Sequence, residues 1–357
     1  MLVSRRRQVC VFAAIVLSAT AFWTSFFLPS APRGWVREFE VHGSPDFYGL
    51  LLERSTANCS SENSLKMDMP ASDRKMLLDI DDFRFHMNQP SCQGTPVMVT
   101  LVHSAPKNRD KRVLIRNTWG SIIQGSLLFL LGEVDSPLLQ VSLESENDRY
   151  HDLLQGNFRD AYRNMTYKHV MGFKWVLHSC PGVRYVLKSD DDTFVNTPVL
   201  IRALTQGRPR CGMKKLIMCR VWSGVPVKRI GDKWTVTREE FHDDIYPDYC
   251  SGTAILYSQD MVYALYKKAQ RTRYFWVDDV HVTGTLAKNL NLTHQPVVPV
   301  TLGIKVMVNN TIRCDYRQVK GAPPWIQSFL FSRHNLSNID MGLLWWYVKK
   351  CASIITE

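Results

Sequence analysis

Three consecutive carboxylates, Asp190-Asp191-Asp192, follow the short predicted strand Val183–Lys188 and are the first candidates for chemistry in this sequence. Like charges packed this closely repel each other unless a cation neutralises them. Alternate residues of an extended segment share a face, so Asp190 and Asp192 can point towards one metal ion. Mg²⁺ and Mn²⁺ favour carboxylate and phosphate oxygens, and a diphosphate could complete the shell. The alternative is a solvated acidic turn or a helix cap, where Asp is also common.

A second acidic pair, Asp278-Asp279, follows the aromatic segment Tyr274-Phe275-Trp276. A carboxylate held beside a reacting hydroxyl can remove its proton as a general base. On spacing alone, an acidic cap at the start of the following helix explains the pair better. The residues by themselves therefore leave both roles open.

Alternating strands and helices must position these acids. The segments in chain order are a buried strand over 96–102, a helical segment containing Val113, Leu114 and Trp119, a strand over 126–131, a long helix over about 148–178, and the strand 183–188. This alternation predicts an α/β domain with a mostly parallel sheet flanked by helices. The triple Asp then lies at the carboxyl edge of the sheet, where α/β folds bind ligands.

The N-terminus predicts a membrane anchor. Arg5-Arg6-Arg7 precedes an uncharged run, Val9–Leu28, which is long enough to span a hydrocarbon core of ~30 Å as a helix. The arginines should stay cytosolic, which places the rest of the chain in the lumen. The alternative is a cleavable signal peptide, whose apolar stretch is usually shorter. We therefore expect a cytosolic tail over 1–8, a transmembrane signal anchor over 9–28, a luminal stem over 29–92 and a catalytic domain over 93–357.

Cysteines and glycosylation sequons agree with a luminal address. The chain has nine cysteines, and Cys10 lies in the predicted span, so an even number remains for disulfides. Their spacing leaves the connectivity open. Five sequons are candidates for N-glycosylation: Asn58, Asn164, Asn291, Asn309 and Asn335.

The net charge of +11 raises nucleic acid as a partner. Lys and Arg are scattered, however, and no basic stripe with interleaved aromatics is present. We therefore expect no nucleic-acid binding, and a basic luminal protein that meets anionic donors explains the charge.

Five ordered segments resemble the β1,3-glycosyltransferase family. They are Arg112–Gly120, Asn157–Lys168, Lys188–Asn196, Tyr246–Gly252 and Asp278–Gly284. The family includes β1,3-galactosyltransferases, β1,3-N-acetylglucosaminyltransferases and, more distantly, fringe. The resemblance covers roughly residues 95–290 and implies a GT-A type fold, in which a nucleotide-sugar-binding α/β part is fused to an acceptor-binding part.

The resemblance also implies roles for the acids. Asp190 and Asp192 would hold the metal of the donor, usually Mn²⁺, and Asp191 would face the ribose or sugar of the donor. Asp279 matches the catalytic base of the family. Asp278 stands where Glu is usual, which shortens one side chain.

Further positions match the family's donor side. Arg116 is a candidate for donor phosphate, because guanidinium pairs bidentately with phosphate. Asp160 and Lys168, both on the predicted long helix, match a donor-side motif, with an exposed charged pair as the alternative. Gly252 would let the backbone approach the sugar, although a plain turn explains it about as well. His334 resembles the terminal His-x-x-Ser stretch and would complete the metal shell, with a surface histidine as the equal alternative.

Together these features predict an inverting, metal-dependent transferase. It would move galactose from UDP-galactose in β1,3 linkage to a glycoprotein or glycolipid acceptor at the Golgi membrane. N-acetylglucosamine from UDP-GlcNAc is the close alternative, and a homodimer is left open. The rival classes are a non-catalytic luminal glycan-binding protein or chaperone of this fold, and a phosphohydrolase, which would need further metal ligands. Trp222, Trp234 and Trp276 are candidates for stacking on acceptor sugars, although a core position is commoner for each.

Overall fold

A computed structural model of the chain describes residues 69–205, 212–231, 233–297, 330–332 and 334–354. The predicted tail and anchor, most of the predicted stem, and the sequons at Asn58 and Asn309 lie outside these ranges. Within them, no helix has both the length and the apolar character that a bilayer span requires.

Eight strands form one mixed sheet. They are β1 (Phe85–Met87), β2 (Met98–His103), β3 (Leu127–Glu133), β4 (Leu153–Arg159), β5 (Tyr185–Asp190), β6 (Ile217–Trp222), β7 (Tyr249–Ser258) and β8 (Gln295–Pro296), in the spatial order β1-β4-β3-β2-β5-β7-β6-β8. Strands β4, β3, β2 and β5 are parallel, and β8 is parallel to β6. Strand β1 is antiparallel to β4, and β7 is antiparallel to both β5 and β6. The α/β prediction is confirmed, with a parallel centre and mixed edges.

The parallel centre follows from its apolar sequence. Every residue of β2 is buried, and so is all of β3 except Glu133, as expected for strands covered on both faces. In the register, His103 lies opposite Asp190, so the carboxyl ends of β2 and β5 meet at one edge of the sheet. The triple Asp therefore begins where the sequence places it.

Seven α-helices lie within the described ranges, and six of them come between strands in the chain. They are α1 (Arg109–Asn117), α2 (Pro137–Tyr150), α3 (Met165–Ser179), α4 (Thr197–Thr205), α5 (Gln259–Ala269), α6 (Ala287–Asn289) and α7 (Asn338–Ile354), with a π-helical segment, Val280–Leu286, directly before α6.

The predicted long helix over about 148–178 is wrong, because strand β4 divides it. Helix α2 ends at Tyr150, and the left-handed backbone of the following His151 (φ 51°) closes the last turn. Strand β4 then carries Gly156 at a crowded position, where a Cβ would lie 2.6 Å from the Phe158 ring and 2.7 Å from the sulfur of Met171. The glycine thus allows close packing inside a strand and does not interrupt a helix.

Residues 69–92, which the sequence assigns to the stem, pack against this domain. Leu77 and Phe83 are buried, and β1 pairs with β4. A disulfide joins Cys92 to Cys180 just after α3, and the carboxylate of Asp73 contacts α3. The folded domain therefore includes this segment, and a spacer can occupy only residues before it. A second disulfide, Cys219–Cys250, joins β6 to β7.

Candidate active site

The buried ammonium of Lys188, on β5, joins three parts of the site. Its Nζ lies 2.6 Å from Oδ1 of Asp190 and 3.9 Å from Oδ2 of Asp278, and it donates a hydrogen bond to the carbonyl of Gly252. The side chain is 1% exposed. Because β7 runs antiparallel to β5, the beginning of β7 lies beside the acidic end of β5. No motif in the sequence predicts a role for Lys188, although a lysine inside an apolar strand next to acids is an available signal.

Asp278 and Asp279 have pKa values that are shifted in opposite directions. Burial and the adjacent Asp278 carboxylate raise the pKa of Asp279 to about 7. Burial acts in the same direction on Asp278, but the Lys188 ammonium and a hydrogen bond with His169 (2.9 Å) hold its pKa well below the usual range. Two acids whose pKa values are pushed apart in this way can divide the roles of charged neighbour and proton acceptor.

Asp279 also caps the π-helical segment. Its Oδ1 accepts from the N–H of Val280 (2.8 Å), and its Oδ2 accepts from the N–H of Gly252 (3.2 Å). The two interpretations open in the sequence are therefore compatible, since one carboxylate can cap the segment and still be held for proton transfer.

Asp190 and Asp192 fit a cation. Burial raises the pKa of Asp190 to about 6 against the opposing Lys188. Oδ1 of Asp192 is buried and meets no hydrogen-bond donor in the part of the chain that the structure describes. An anionic oxygen left without a donor in a buried position calls for a partner, and a divalent metal would provide one.

His334 lies on the segment that runs beside these acids. The N–H of Leu336 donates to the carbonyl of Asp192 (3.1 Å), and the His334 side chain is exposed. The ligand atoms of His334, Asp190 and Asp192 do not all lie within 4.8 Å of one another; across the described ranges, His103, His169 and Asp278 form the group that does. The role of His334 as a metal ligand stays a prediction.

The carboxylate of Asp191 is engaged by donors from the protein itself. Its carboxylate accepts from Ser104 Oγ (2.9 Å), Asn108 Nδ2 (2.9 Å) and Lys111 Nζ (3.1 Å), and the residue is 6% exposed. These three donors occupy most of the hydrogen-bond-accepting positions of the carboxylate. Asp191 therefore ties β5 to the start of α1, and a contact with the ribose or sugar of the donor stays a prediction.

Arg116 is also committed elsewhere. Its guanidinium forms two 2.8 Å hydrogen bonds with Asp152 and one of 2.7 Å with Glu146, and it stacks 4.0 Å over the ring of Tyr150. Glu146 in turn pairs with the fully buried Arg112. The bidentate geometry predicted for phosphate is thus used on a buried carboxylate, and the donor-phosphate prediction is wrong.

Asp160 and Lys168 do meet, but from two different elements. Lys168 on α3 donates to Oδ2 of Asp160 (2.8 Å) and to the carbonyl of Ser104 (2.8 Å). Asp160, in the loop after β4, also accepts from the N–H of Gly132 at the end of β3 (2.7 Å). The pair lies at the carboxyl edge of the sheet and is largely buried, so it is not the exposed pair considered as the alternative. A contact with the donor stays a prediction.

Gly252 lies inside β7 and not in a turn before it. A Cβ at this position would lie 3.3 Å from Lys188 Nζ and 3.5 Å from Oδ2 of Asp279. The missing side chain therefore lets the backbone approach these two groups. Contact with a sugar stays a prediction.

Aromatic side chains lie at the end of β6, in the loop between β6 and β7, and just before the acidic pair Asp278-Asp279. Trp222 and Trp234 are 38% and 44% exposed, whereas Trp276 is buried. Tyr162 is 46% exposed and lies 5.9 Å from the Trp276 ring; burial, with nearby carboxylates that include Asp279, raises the pKa of Tyr162 to about 12. Partly exposed aromatic side chains of this kind can pack against sugar rings.

Three sequons lie within the described ranges. Asn291 and Asn335 are exposed and adopt positive φ angles of 52° and 67°. Asn164 is half-buried, and its side-chain amide donates to the carbonyl of Arg159 (2.8 Å). Asn164 is therefore the least accessible of the three.

Comparison with known proteins agrees with these motifs. Residues 110–298 match the family model described as Galactosyltransferase. The chain is 35% identical to β-1,3-galactosyltransferase 1 of Mus musculus over 215 residues, 58% of this chain and 65% of that protein. It is also 35% identical to β-1,3-galactosyltransferase 5 of Mus musculus over 207 residues, 55% of this chain and 65% of that protein. The match thus spans slightly less than two thirds of each relative.

Solved structures show a much weaker similarity. The bifunctional glycosyltransferase WbbM aligns over 60% of this chain and 40% of its own, with 11% identity and a TM-score of 0.31. A score this low supports no conclusion about this chain.

Proposed function

The chain belongs to the galactosyltransferase family, and we propose that it transfers galactose from UDP-galactose, with inversion, to a glycan acceptor in β1,3 linkage. The observation that carries this proposal is the acidic pair beside Lys188. Asp279, with a pKa of about 7, lies next to Asp278, whose pKa is held below its usual range. The same lysine contacts Asp190 of the triple Asp. The proposed proton acceptor, Asp279, and the proposed donor-binding residue, Asp190, are thus both close to Lys188.

In this reaction Asp279 acts as the general base. Its carboxylate takes the proton of the acceptor hydroxyl while that oxygen attacks the anomeric carbon and the bond to UDP breaks. One carboxylate is enough for a single displacement, which inverts the anomeric centre without a covalent intermediate. The N–H groups of Gly252 and Val280 hold the two carboxylate oxygens in place.

Asp190 and Asp192 would hold the donor's Mn²⁺, because Oδ1 of Asp192 is a buried oxygen without a donor in the described part of the chain. A metal bound there supplies positive charge to the departing diphosphate. The parallel centre of the sheet, with its acids at the carboxyl edge, supports a GT-A type arrangement for this site.

The acceptor and the cellular address extend the proposal. The partly exposed side chains of Trp222, Trp234 and Tyr162 support a glycan acceptor, on a glycoprotein or glycolipid, because sugar rings pack on aromatic side chains. The disulfides Cys92–Cys180 and Cys219–Cys250 support an oxidising compartment. With the apolar run 9–28 as a signal anchor, the domain would face the Golgi lumen as part of a type II membrane protein.

The test is a donor screen with the purified full-length chain. UDP-galactose, UDP-GlcNAc and UDP-GalNAc are each offered with a panel of sugar acceptors and Mn²⁺, and the product linkage is determined by NMR. The proposal expects turnover with UDP-galactose and a β1,3 product. Preference for UDP-GlcNAc would replace the donor, and tight UDP-sugar binding without any transfer would indicate a glycan-binding protein.

A further inference from the structure

Two histidines and one aspartate converge in the interior of the domain. His103 ends β2, His169 lies on α3, and Asp278 precedes the π-helical segment. Nδ1 of His169 lies 2.9 Å from Oδ2 of Asp278, and Nδ1 of His103 lies 3.9 Å from the same oxygen. One ligand atom from each residue lies within 4.8 Å of the others. With metal–ligand bonds of about 2.0–2.2 Å, the ligand atoms of a tetrahedral zinc site are ~3.3 Å apart, so small side-chain adjustments would form one.

The protein contacts described by the structure do not account for His103. The residue is 4% exposed, and neither ring nitrogen has a hydrogen-bond partner among the described residues. A hydrogen bond between His169 and Asp278 is the simpler account of that pair, but it leaves the buried His103 imidazole unsatisfied, which is costly. A shared cation would engage all three side chains. Burial lowers the pKa of both histidines, which keeps them in the neutral form that binds metal.

The surrounding charge favours a cation. Asp190, Asp278 and Asp279 are grouped around the ammonium of Lys188, which contacts Asp190 and lies 3.9 Å from Asp278. The ammonium of Lys168 also acts on His103 and is paired with Asp160 at 2.8 Å. Counting the pair formed by Lys168 and Asp160, carboxylates outnumber ammonium groups here, and a divalent ion would reduce the excess of negative charge.

We propose that His103, His169 and Asp278 bind one Zn²⁺ ion, at a site separate from the cation of Asp190 and Asp192. Two imidazole nitrogens and one carboxylate oxygen suit zinc, whereas Mn²⁺ prefers oxygen ligands. Nε2 of His169 lies 3.3 Å from the hydroxyl of Tyr257, a second contact that orients the ring as in many metal sites. At 13%, the side chain of Asp278 is the most exposed of the three. The bound ion would fix Asp278 beside Asp279.

Metal content tests this site without any reference to transfer. The purified full-length chain is stripped with a chelator, titrated with Zn²⁺ and analysed by mass spectrometry of the metals. We expect about one zinc per chain, lost in His103→Gln and His169→Gln. The matched control is His281→Gln, because His281 is also buried with no partner for either ring nitrogen in the described chain, yet lies outside the group. It should keep the zinc, and so should Asp192→Asn.

Three results would overturn the site. The intact chain could bind no zinc, both histidine variants could retain it, or zinc could disappear only when Asp192 is replaced, which would move it to the donor's cation site. If the histidine variants fail to fold, two measurements on the intact chain still test the zinc site. Co²⁺ should then give the absorption bands of a tetrahedral nitrogen-containing site, and Zn²⁺ should raise the melting temperature. The absence of both effects rules the site out. Because no readout involves a sugar, failure here leaves the proposed transferase activity standing, and the reverse also holds.

Discussion

The Nζ of Lys188 lies 2.6 Å from Oδ1 of Asp190, two residues further along the same strand. Alternate residues of a strand share a face, so this contact directs Asp190 towards the beginning of β7, where the same ammonium reaches the carbonyl of Gly252. Lys188 also lies near Asp278. The buried ammonium of Lys188 thus places the proposed donor site next to the proposed base. It does not contact Asp192, whose Oδ1 would bind the metal.

The first prediction concerns Asp192. Asp192→Asn keeps the shape of the side chain but removes the charge of an oxygen that has no donor in the described part of the chain. Transfer should fall by about 10²-fold or more, because a metal contributes several kcal/mol of charge stabilisation. Mn²⁺-dependent binding of the UDP-sugar should weaken in calorimetry, while the melting temperature changes little.

Asp191→Asn is the control for that experiment. Asp191 accepts from Ser104, Asn108 and Lys111, so its replacement should lower stability more than Mn²⁺ affinity. Full turnover of the unmodified protein in excess chelator would contradict the metal role of Asp192.

The second prediction concerns Asp279. Asp279→Asn removes the proton acceptor but leaves the metal site intact. A missing general base costs about 10²–10⁴-fold in rate, so kcat should fall by that factor while the Kd of the UDP-sugar stays close to that of the parent. Asp278→Asn should reduce the rate less, because Asp278 is the charged neighbour and not the base. Near-normal transfer by Asp279→Asn with loss in Asp278→Asn would show that the roles are reversed.

The sequence predicted the elements and the acids better than the directions of the side chains. The triple Asp was correctly placed at the end of a parallel strand, because an apolar run followed by charge is a local signal. The orientation of the Asp191 side chain depends on hydrogen bonds from the start of α1. The carboxylate that Arg116 binds in a bidentate manner belongs to Asp152, just before β4. Such partners are distant in sequence, so a single-sequence pattern does not reveal them.

The same limit applies to β4 and to the histidines. Gly156 lies inside β4, within the range of the predicted long helix, and serves close packing against Phe158 and Met171. His103 and His169 are 66 positions apart in the numbering and meet only because β2 packs beside α3. Neither lies in a spacing typical of metal ligands, so the cluster is visible only in the fold.

The third prediction tests the corrected role of Arg116. Arg116→Met leaves the buried carboxylates of Asp152 and Glu146 short of hydrogen bonds, and the loss of one partner from a buried ion pair costs about 3–5 kcal/mol. The free energy of unfolding, measured with urea, should fall by that amount. UDP-sugar affinity of the folded variant should be nearly unchanged.

Arg159→Met is the matched control, because Arg159 pairs with Asp135 at the surface, where the side chains are 72% and 76% exposed. Such pairs contribute about 0–1 kcal/mol. A stable Arg116→Met variant that has lost UDP-sugar binding would restore the donor-phosphate role.

The fourth prediction concerns Asp73, which ties residues 69–92 to the domain. Its Oδ2 accepts from Tyr266 (2.8 Å) and Lys174 (3.1 Å) and lies 2.8 Å from Nε2 of His178. Burial acts to raise the pKa of Asp73, but these contacts outweigh it and lower the value from 3.8 to about 2. A depressed pKa in the folded state adds stability that is complete above about pH 4 and disappears as the pH falls towards 2.

A shift of this size corresponds to about 2 kcal/mol, so Asp73→Asn should be destabilised by at least that amount at pH 6. The difference from the parent should then narrow as the pH is lowered from 4 to 2, because the parent carboxylate becomes protonated as well. Urea unfolding across this range measures the difference. Asp82→Asn is the control, since Asp82 is 79% exposed in its pair with Arg84 and should show little difference at any pH. A difference for Asp73→Asn that stays constant down to pH 2 would mean that the shape of the side chain, and not its charge, holds the segment in place.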